Sequence, residues 1–468
     1  MVFSSMTFLF GFLPIVLLFY YAAPLKIKNL ILMVSGIFFY AWGEPVYVVL
    51  MLFTTVVDYT AGRLMDKMDS NKKARLLCLL GSLIINLGLL CVFKYSSFII
   101  TNINNVFGTT IIDPKLPLPI GISFYTFQSL SYTIDLYMRK IKVQKNLVNY
   151  IAYVALFPQI VAGPIVRYAD VANELESRQI GYSKVADGIG IFIRGLAKKL
   201  LLANNIGMVW TTVSATPFEQ LPTMTAWIGI LAFTFQIYYD FSGYSDMAIG
   251  MGKMLGFNFP INFDHPYMAK SISEFWRRWH ITLGSWFKSY VYFPMGGNRG
   301  GTWKTLRNLL VVWFLTGLWH GASWNFVLWG LYFGALIILE KFFLGKWLKK
   351  LPNILQWMYA FLLVVFGWVF FELTSISQIG AYFKAMFGLN GAGFGNQQTI
   401  YLLLTNAIVF LVCIVGSTTF LRKTAKPVAG KVPKIYGYLK VIIEIVVFLV
   451  CICYLVNASY NPFLYFRF

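Results

Sequence analysis

Charge is scarce in this sequence. Asp, Glu, Lys and Arg make up 12% of its 468 residues, about half the roughly 25% of a soluble globular protein. No hydrophilic run is long enough for a separate soluble domain, so one membrane domain over 1–468 is expected. Acidic residues are scarcer than basic ones, 18 against 39, which leaves a net charge of +21. The basic residues sit in short clusters between apolar segments, where the positive-inside rule and anionic headgroups account for them. Nucleic acid is therefore not an expected partner. Histidine is nearly absent: His265, His280 and His320 stand far apart, and no Cys or Glu completes a zinc pattern, so no metal site is expected. The five cysteines all lie in apolar segments, and Cys451-x-Cys453 is not a redox motif, so they read as small buried apolar residues. There is no G-x-S-x-G elbow to supply an acyl-enzyme serine. "PMGGNRGG" lacks the lysine and Ser/Thr of a phosphate loop. No internal repeat is visible, which weakens the case for an inverted-repeat transporter. Residues 6–21 lack a basic leader and a small-residue cleavage site, so they read as a retained first span.

What the chain has is apolar length. Hydrophobic residues are 58% of the total and the mean hydropathy is +0.66. Runs that suggest spans cover 6–22, 30–42, 46–61, 76–93, 147–163, 224–240, 323–340, 354–373, 399–417 and 438–458. Shorter or broken runs lie near 117–137, 185–203, 246–259 and 307–320. Several are shorter than the ~20 residues a helix needs to cross the hydrocarbon, or are cut by Gly and Pro, as in "LPLPIGISFYTF" and "LFPQIVAGPIVRY". Irregular backbone survives at membrane depth only when packed in protein or lining a cavity, so a plain up-and-down bundle is not expected. "GLNGAGFGNQQ" (388–398) reads as a flexible loop. Basic clusters at 63–75, 139–145, 341–350 and 422–434 mark cytoplasmic loops, while the connections near 95–114 and 374–398 would face outward. Counting from these clusters puts both termini outside.

The stretch "LLVVWFLTGLWHGASWNFVLWGLYFGALIILE" (309–340) holds one histidine, His320, and no Asp, Glu, Lys or Arg before Glu340. If Arg299, Lys304 and Arg307 mark the cytoplasmic face, His320 sits about 18 Å into the helix, well inside a hydrocarbon layer of about 30 Å. Gly317 and Gly321 beside it permit a break or a close backbone approach. An ionisable group at that depth faces the bundle interior or a water-filled cavity. On physics alone three readings stand open: hydrogen-bonded core imidazole, general base, or ligand contact. Residues 235–301 carry a second signal. Asp240 and Asp246 end an apolar run and read either as caps or ion-pair partners, or as groups lining a substrate path. In "SISEFWRRWHITLGSWFKSYV", Ser271 or Ser273 before Glu274 is a candidate N-cap. Trp276, Trp279 and Trp286 alternate there with Arg277, Arg278 and Lys288, the pattern of an interfacial amphipathic helix over Trp276–Trp286. His280, taken alone, reads as an interfacial residue.

The blocks "FQIYYDFSGYSDMAIGMGKMLGF", "SISEFWRRWHITLGSWFKSYVYFPMGGNR" and "LTGLWHGASWNFVLWG", with the terminal "SYNPFLYFRF", resemble the membrane-bound O-acyltransferase family. With "PIGISFYTFQSLSYTIDLYM" and "FPQIVAGPIVRY" they cover most of the chain in the family's order. The likeness is to the bacterial branch that acetylates alginate or peptidoglycan or D-alanylates lipoteichoic acid, with the terminal block favouring the alginate-like group. The resemblance implies an all-α polytopic fold: about 11 transmembrane helices plus re-entrant and interfacial helices around a central tunnel. It places the family's W-H-G histidine on His320 as general base and its second histidine on His280. Trp319, Asn325, Asp240, Asp246, Trp276, Arg277 and Arg278 would line or support the tunnel.

The reaction implied is transfer of an acyl group, acetyl first, from a cytoplasmic thioester donor to an extracytoplasmic hydroxyl. The donor would be acetyl-CoA or a carrier-protein phosphopantetheine, used as a substrate, with no permanently bound cofactor. His280 or nearby polar groups would stabilise the oxyanion. An extracytoplasmic SGNH-type transferase or acyl-relay protein would pass the group on to a polysaccharide. The location implied is the bacterial cytoplasmic (inner) membrane. D-alanyl transfer to teichoic acid is the neighbouring alternative. A transporter or scaffold of a polysaccharide export complex is the rival of another class.

Overall fold

The computed structural model describes residues 1–457 and Leu464; the remainder of the terminal "SYNPFLYFRF" block and the C-terminus lie outside the described residues. Every regular element among the described residues is helical. Seven helices are long and apolar enough to cross a bilayer: Leu25–Gly43, Val48–Lys67, Lys72–Phe107, Trp324–Leu348, Asn353–Glu372, Gln397–Gly416 and Pro433–Asn457. Thr7–Ala22 is a shorter apolar helix. The chain is a multi-pass membrane protein. Side-chain caps start several of these helices. Asn71 accepts from Ala74 N at 3.0 Å, and Asn396 accepts from Thr399 N at 2.9 Å, each satisfying one of the amides that a helix start leaves without a partner.

The chain divides into two compact units, Met1–Phe192 with Ser245–Ile261, and Ile193–Tyr244 with Asn262–Phe468. In the first unit the apolar run 147–163 is not a span. Its helix covers only Leu147–Val154, because Pro158, Gly163 and Pro164 interrupt the next dozen residues. Residues 155–166 are irregular and buried throughout. Protein groups serve their surroundings: the Gln128 and Gln159 amides both donate to Tyr153 O at 2.8 Å. The Tyr153 hydroxyl donates to Val166 O at 3.1 Å. Gly121 starts the Ile122–Tyr137 helix at φ +77°, and a Cβ there would stand 2.7 Å from Ile160 O. This is irregular backbone packed in protein, the arrangement that a membrane interior demands of such a segment. The Lys72–Phe107 helix runs on through much of the connection expected at 95–114.

The runs 224–240 and 246–259 join into one helix, Thr223–Met254, of 32 residues. The second unit holds most of the sequence-predicted site. Its loop at 388–396 is irregular but not loose, since Asn390 donates to Phe218 O and Leu221 O, both at 2.9 Å. The expected continuous helix Trp276–Trp286 is instead two helices, Ile272–Arg278 and Ile281–Phe287. The break falls at His280, whose φ is +45°. The cap of the second helix comes from elsewhere: Ile281 N donates to Asn262 O at 3.0 Å and Thr282 N to Asn262 Oδ1 at 3.2 Å.

Candidate functional site

The Thr302–His320 helix ends on its histidine, and Gly321 continues in extended backbone. It packs backbone to backbone against Trp324–Leu339. A Cβ on Gly317 would stand 2.3 Å from Phe326 O, and one on Gly330 would stand 2.4 Å from Trp313 O. That close crossing holds His320 in a cage of rings. Its centroid lies 5.0 Å from Trp319, 4.9 Å from Trp329 and 5.3 Å from Phe371, all edge-on. His320 is 5% exposed.

Asn325, fully buried, ties this cage to the Asn353–Glu372 helix. Its amide donates to Phe370 O and Phe371 O at 3.2 Å each, and its Oδ1 accepts the Ser323 hydroxyl. Those carbonyls belong to the last turn of a helix, where no intrahelical partner exists. Asn325 thus holds Phe371 against His320.

The second histidine reaches the same cage through one indole. His280 stands 5.8 Å from Trp319 and 4.7 Å from Phe241. It is 2% exposed and lies outside the seven candidate spans. Burial pushes its imidazole down to about 3, so the ring is neutral near pH 7. Its Nδ1 lies 3.2 Å from Asn262 Oδ1.

His280 also lines a cavity of about 560 Å³ with Trp276, Trp279, Arg277, Lys288 and Lys341 among its walls. The three cations are exposed, and the aromatic rings and His280 lie deeper. Trp276 packs 4.9 Å from Trp313 and 5.4 Å from Trp329, linking the cavity wall to the ring cage.

The two arginines that look equivalent in sequence are not. Arg278 is bound to Glu274 through Nε at 3.0 Å and Nη2 at 2.8 Å, and to Asp264 O at 3.2 Å. Arg277 lines the cavity. Ser271 supplies the expected cap by accepting from Glu274 N at 3.0 Å. Ser273 turns instead to Glu340. Glu340 is buried, and its carboxylate accepts from Ile272 N at 2.6 Å, Ser273 N at 2.9 Å and Ser273 Oγ at 2.6 Å. Bonds to a carboxylate are about twice as strong as neutral ones, so Glu340 anchors the helix that carries Trp276 and Arg277. Sequence reasoning missed this role, although a lone carboxylate closing an apolar run is itself a signal.

Asp240 is occupied. It pairs with Lys199 at 2.5 Å with both side chains 3% exposed, and its Oδ2 accepts from Leu464 N at 2.8 Å. This is the ion-pair reading of Asp240. Asp246 belongs to the first unit and is half-buried. Within the second unit the structure gathers His320, Trp319, Asn325, His280, Trp276 and Arg277. His265 is surface-placed beside Asp264. No cluster of His, Cys, Asp or Glu able to hold a metal occurs among the described residues.

Two buried histidines bridged by an indole, inside an apolar helical protein, suit transfer chemistry on a substrate that threads into the membrane. The profile of MBOAT, the membrane-bound O-acyltransferase family, matches residues 138–376, which include both histidines. The chain belongs to this family, and its activity is O-acyl transfer. It is 37% identical to the probable alginate O-acetylase AlgI of Pseudomonas putida over the full length of both chains. It is 34% identical to the peptidoglycan O-acetyltransferase of Helicobacter pylori, over 84% of this chain and 80% of that one. The teichoic acid D-alanyltransferase of Bacillus subtilis is more distant, 29% identical over 54% of this chain and 68% of that one.

Proposed function

We propose that this protein transfers acetyl from a cytoplasmic thioester donor to an extracytoplasmic hydroxyl, for O-acetylation of a cell-envelope polysaccharide. The observation that carries the reading is the pair of buried histidines that both contact Trp319, one of them on the wall of a cavity with exposed cations. Similarity over nearly the whole chain to polysaccharide O-acetylases supports acetyl over D-alanyl. The acceptor hydroxyl oxygen attacks the thioester carbonyl carbon. A C–O bond forms, the C–S bond breaks, and His320 takes the hydroxyl proton and returns it to the leaving thiolate. Histidine suits that exchange because its ordinary pKa lies near neutrality. The apolar rings around it exclude water, which strengthens every polar interaction with the reacting atoms.

The donor is acetyl-CoA or a carrier-bound phosphopantetheine, and its phosphates meet Arg277, Lys288 and Lys341. A tunnel from this cavity past His320 would let donor and acceptor meet from opposite faces. Residues 1–468 act as one membrane domain in the bacterial cytoplasmic membrane, with both termini outside. The acetyl group then passes to an extracytoplasmic SGNH-type transferase or relay, since a polymer does not easily reach the bilayer midplane.

Sided proteoliposomes test this reading. Labelled acetyl-CoA supplied on the face that carries residues 63–75 and 341–350 should acetylate a hydroxyl acceptor on the opposite face. Export or assembly without acetyl transfer would establish the transporter or scaffold instead. The cavity gives a second expectation. Arg277→Gln should raise the donor KM about tenfold, the worth of one charge-assisted hydrogen bond. Arg278→Gln breaks the Glu274 pair and should lower stability more than donor affinity. An unchanged donor KM in Arg277→Gln would leave that arginine to lipid headgroups.

A further inference from the structure

We infer that the first unit carries a binding site for one anionic phospholipid. Lys28 and Arg178 hold the lipid phosphate, and an acyl chain lies in the groove between the Thr7–Ala22 and Leu25–Gly43 helices.

Buried cations are normally paired with carboxylates. These two are not. Lys28 and Arg178, both in the first unit, are 6% and 8% exposed. Lys28 Nζ donates to Tyr20 O. Arg178 donates through Nε to the Tyr20 hydroxyl at 2.6 Å, and through Nη1 to Asn29 Oδ1 at 2.7 Å and Glu174 O at 3.0 Å. Each of these acceptors is neutral. The Glu174 carboxylate is taken by the Asn258 amide, at 2.8 Å. Arg178 Nη2 is buried and bonds to no acceptor among the described residues. Both cations also share one ring, with Lys28 Nζ 4.4 Å and Arg178 Cζ 5.5 Å from the Tyr20 centroid. Their charges repel each other. A ring face and carbonyls supply only partial negative charge, so two full positive charges stand together without an anion. A phosphate group supplies that anion, and its several oxygens suit the fork of a guanidinium. Lys28 lies in the first turn of the Leu25–Gly43 helix, the depth at which a span meets lipid headgroups.

The same two helices enclose an apolar groove of about 650 Å³, with Val16, Phe19, Leu30, Ile31 and Ser35 among its walls. It begins at Thr7, and Thr7 to Phe19 is about 18 Å of helix, against about 15 Å for the hydrocarbon of one leaflet. Helix geometry joins the groove to the cations. Val16 and Tyr20 stand four apart on one helix, and Lys28, Ile31 and Ser35 stand three and four apart on the other, so each set shares a face. The floor of the groove therefore continues into Tyr20 and Lys28. Phe19 and Leu30 are exposed, which leaves the groove open to lipid. Charge fixes the occupant. Two cations without a carboxylate call for a net anionic headgroup such as phosphatidylglycerol, because phosphatidylcholine brings a cation of its own. A partner's transmembrane helix would cover the groove and leave the two charges unmet, and the bulky Phe19 and Leu30 are not the small residues that such helix contacts favour.

Native mass spectrometry of the delipidated full-length protein, titrated with dioleoyl phosphatidylglycerol, tests this directly. Wild type should bind one such lipid about tenfold more tightly than dioleoyl phosphatidylcholine, and an excess of inorganic phosphate should not displace it. Lys28→Gln should weaken that binding about tenfold, the worth of one charge-assisted hydrogen bond. Lys26→Gln, at an exposed lysine two residues away, should change it less than about twofold. Gly11 lines the groove, and a Cβ there meets nothing within 4 Å. Gly11→Leu therefore fills the groove without a clash, keeps both cations, and should also weaken lipid binding about tenfold. Thermal unfolding of each variant confirms that it is folded, and Gly11→Leu decides the matter if Lys28→Gln is not. Equal affinity for the two lipids, or equal losses in Lys26→Gln and Lys28→Gln, would leave only general surface charge and overturn the inference. Displacement by inorganic phosphate, or binding indifferent to Gly11→Leu, would make this a site for soluble phosphates and overturn the lipid assignment. A dimer mass in place of the lipid would give the groove to a second copy of the chain and overturn it as well. None of these measurements uses acyl transfer, so failure here is distinct from failure of the acyltransferase reading.

Discussion

Replacing His320 with glutamine should reduce acetyl transfer by about 10²–10⁴-fold, the usual contribution of a general base, while the protein still inserts and reaches wild-type abundance. Glutamine keeps a hydrogen-bonding side chain at the end of the Thr302–His320 helix but does not accept a proton at neutral pH. The stability cost should be small. The ring pairs that the imidazole makes with Trp319, Trp329 and Phe371 are each worth about 0.5–1.5 kcal/mol beyond area burial, and the glutamine stem recovers part of the packing. A core role predicts the reverse pattern, with abundance falling and specific activity per folded molecule preserved. The measurement is labelled-acetyl transfer in proteoliposomes normalised to folded protein. Wild-type transfer by His320→Gln would make the histidine structural and remove the base from the proposed mechanism.

The part of this site that could be read from sequence is the part written in contiguous residues. His320 stood out because one imidazole in a long apolar run is costly unless it is used, and the W-H-G block named a family for it. The cation-bearing, Trp-rich segment was legible as something other than a span. The break in that segment was not. Its amphipathic spacing continues through His280, and the residue that caps the second helix, Asn262, lies 18 positions upstream. Local pattern carries no trace of such a contact. The separation of Arg277 from Arg278 did leave a trace, since Glu274 and Arg278 stand at i,i+4, a spacing that favours an ion pair on one helix face. The run 147–163 misled for a related reason. Apolar composition reports burial, and residues 155–166 are buried, yet Pro158, Gly163 and Pro164 deny them a helix. In a membrane protein these two properties separate wherever protein groups satisfy the irregular backbone.

Gly317→Ala should slow transfer by about 10²-fold, the cost of misplacing a catalytic group by about 1 Å, and should also lower the thermal unfolding temperature. The added methyl has nowhere to go. It would meet Phe326 O at 2.3 Å and Phe326 C at 3.2 Å, and both are backbone atoms of the facing helix, so no side-chain rotation relieves the clash. The neighbour is equally committed, because a Cβ on Gly330 would meet Trp313 O at 2.4 Å and one on Gly334 would meet the Trp313 Cβ at 3.0 Å. Gly317 and Gly321 stand four apart, as do Gly330 and Gly334, which is the small-residue spacing that lets membrane helices approach closely. To seat the methyl, the two helices must separate, and overpacking of this kind costs about 1–3 kcal/mol. The separation falls where it matters. His320 is carried by one helix three residues beyond Gly317, and Trp329, which stands 4.9 Å from its ring, is carried by the other. Moving the helices apart therefore opens the cage around the imidazole. Gly81→Ala is the control, since a Cβ there meets nothing within 4 Å, and it should leave rate and unfolding temperature unchanged. If Gly317→Ala matched Gly81→Ala in both measurements, the close crossing of the two helices would not be what positions His320.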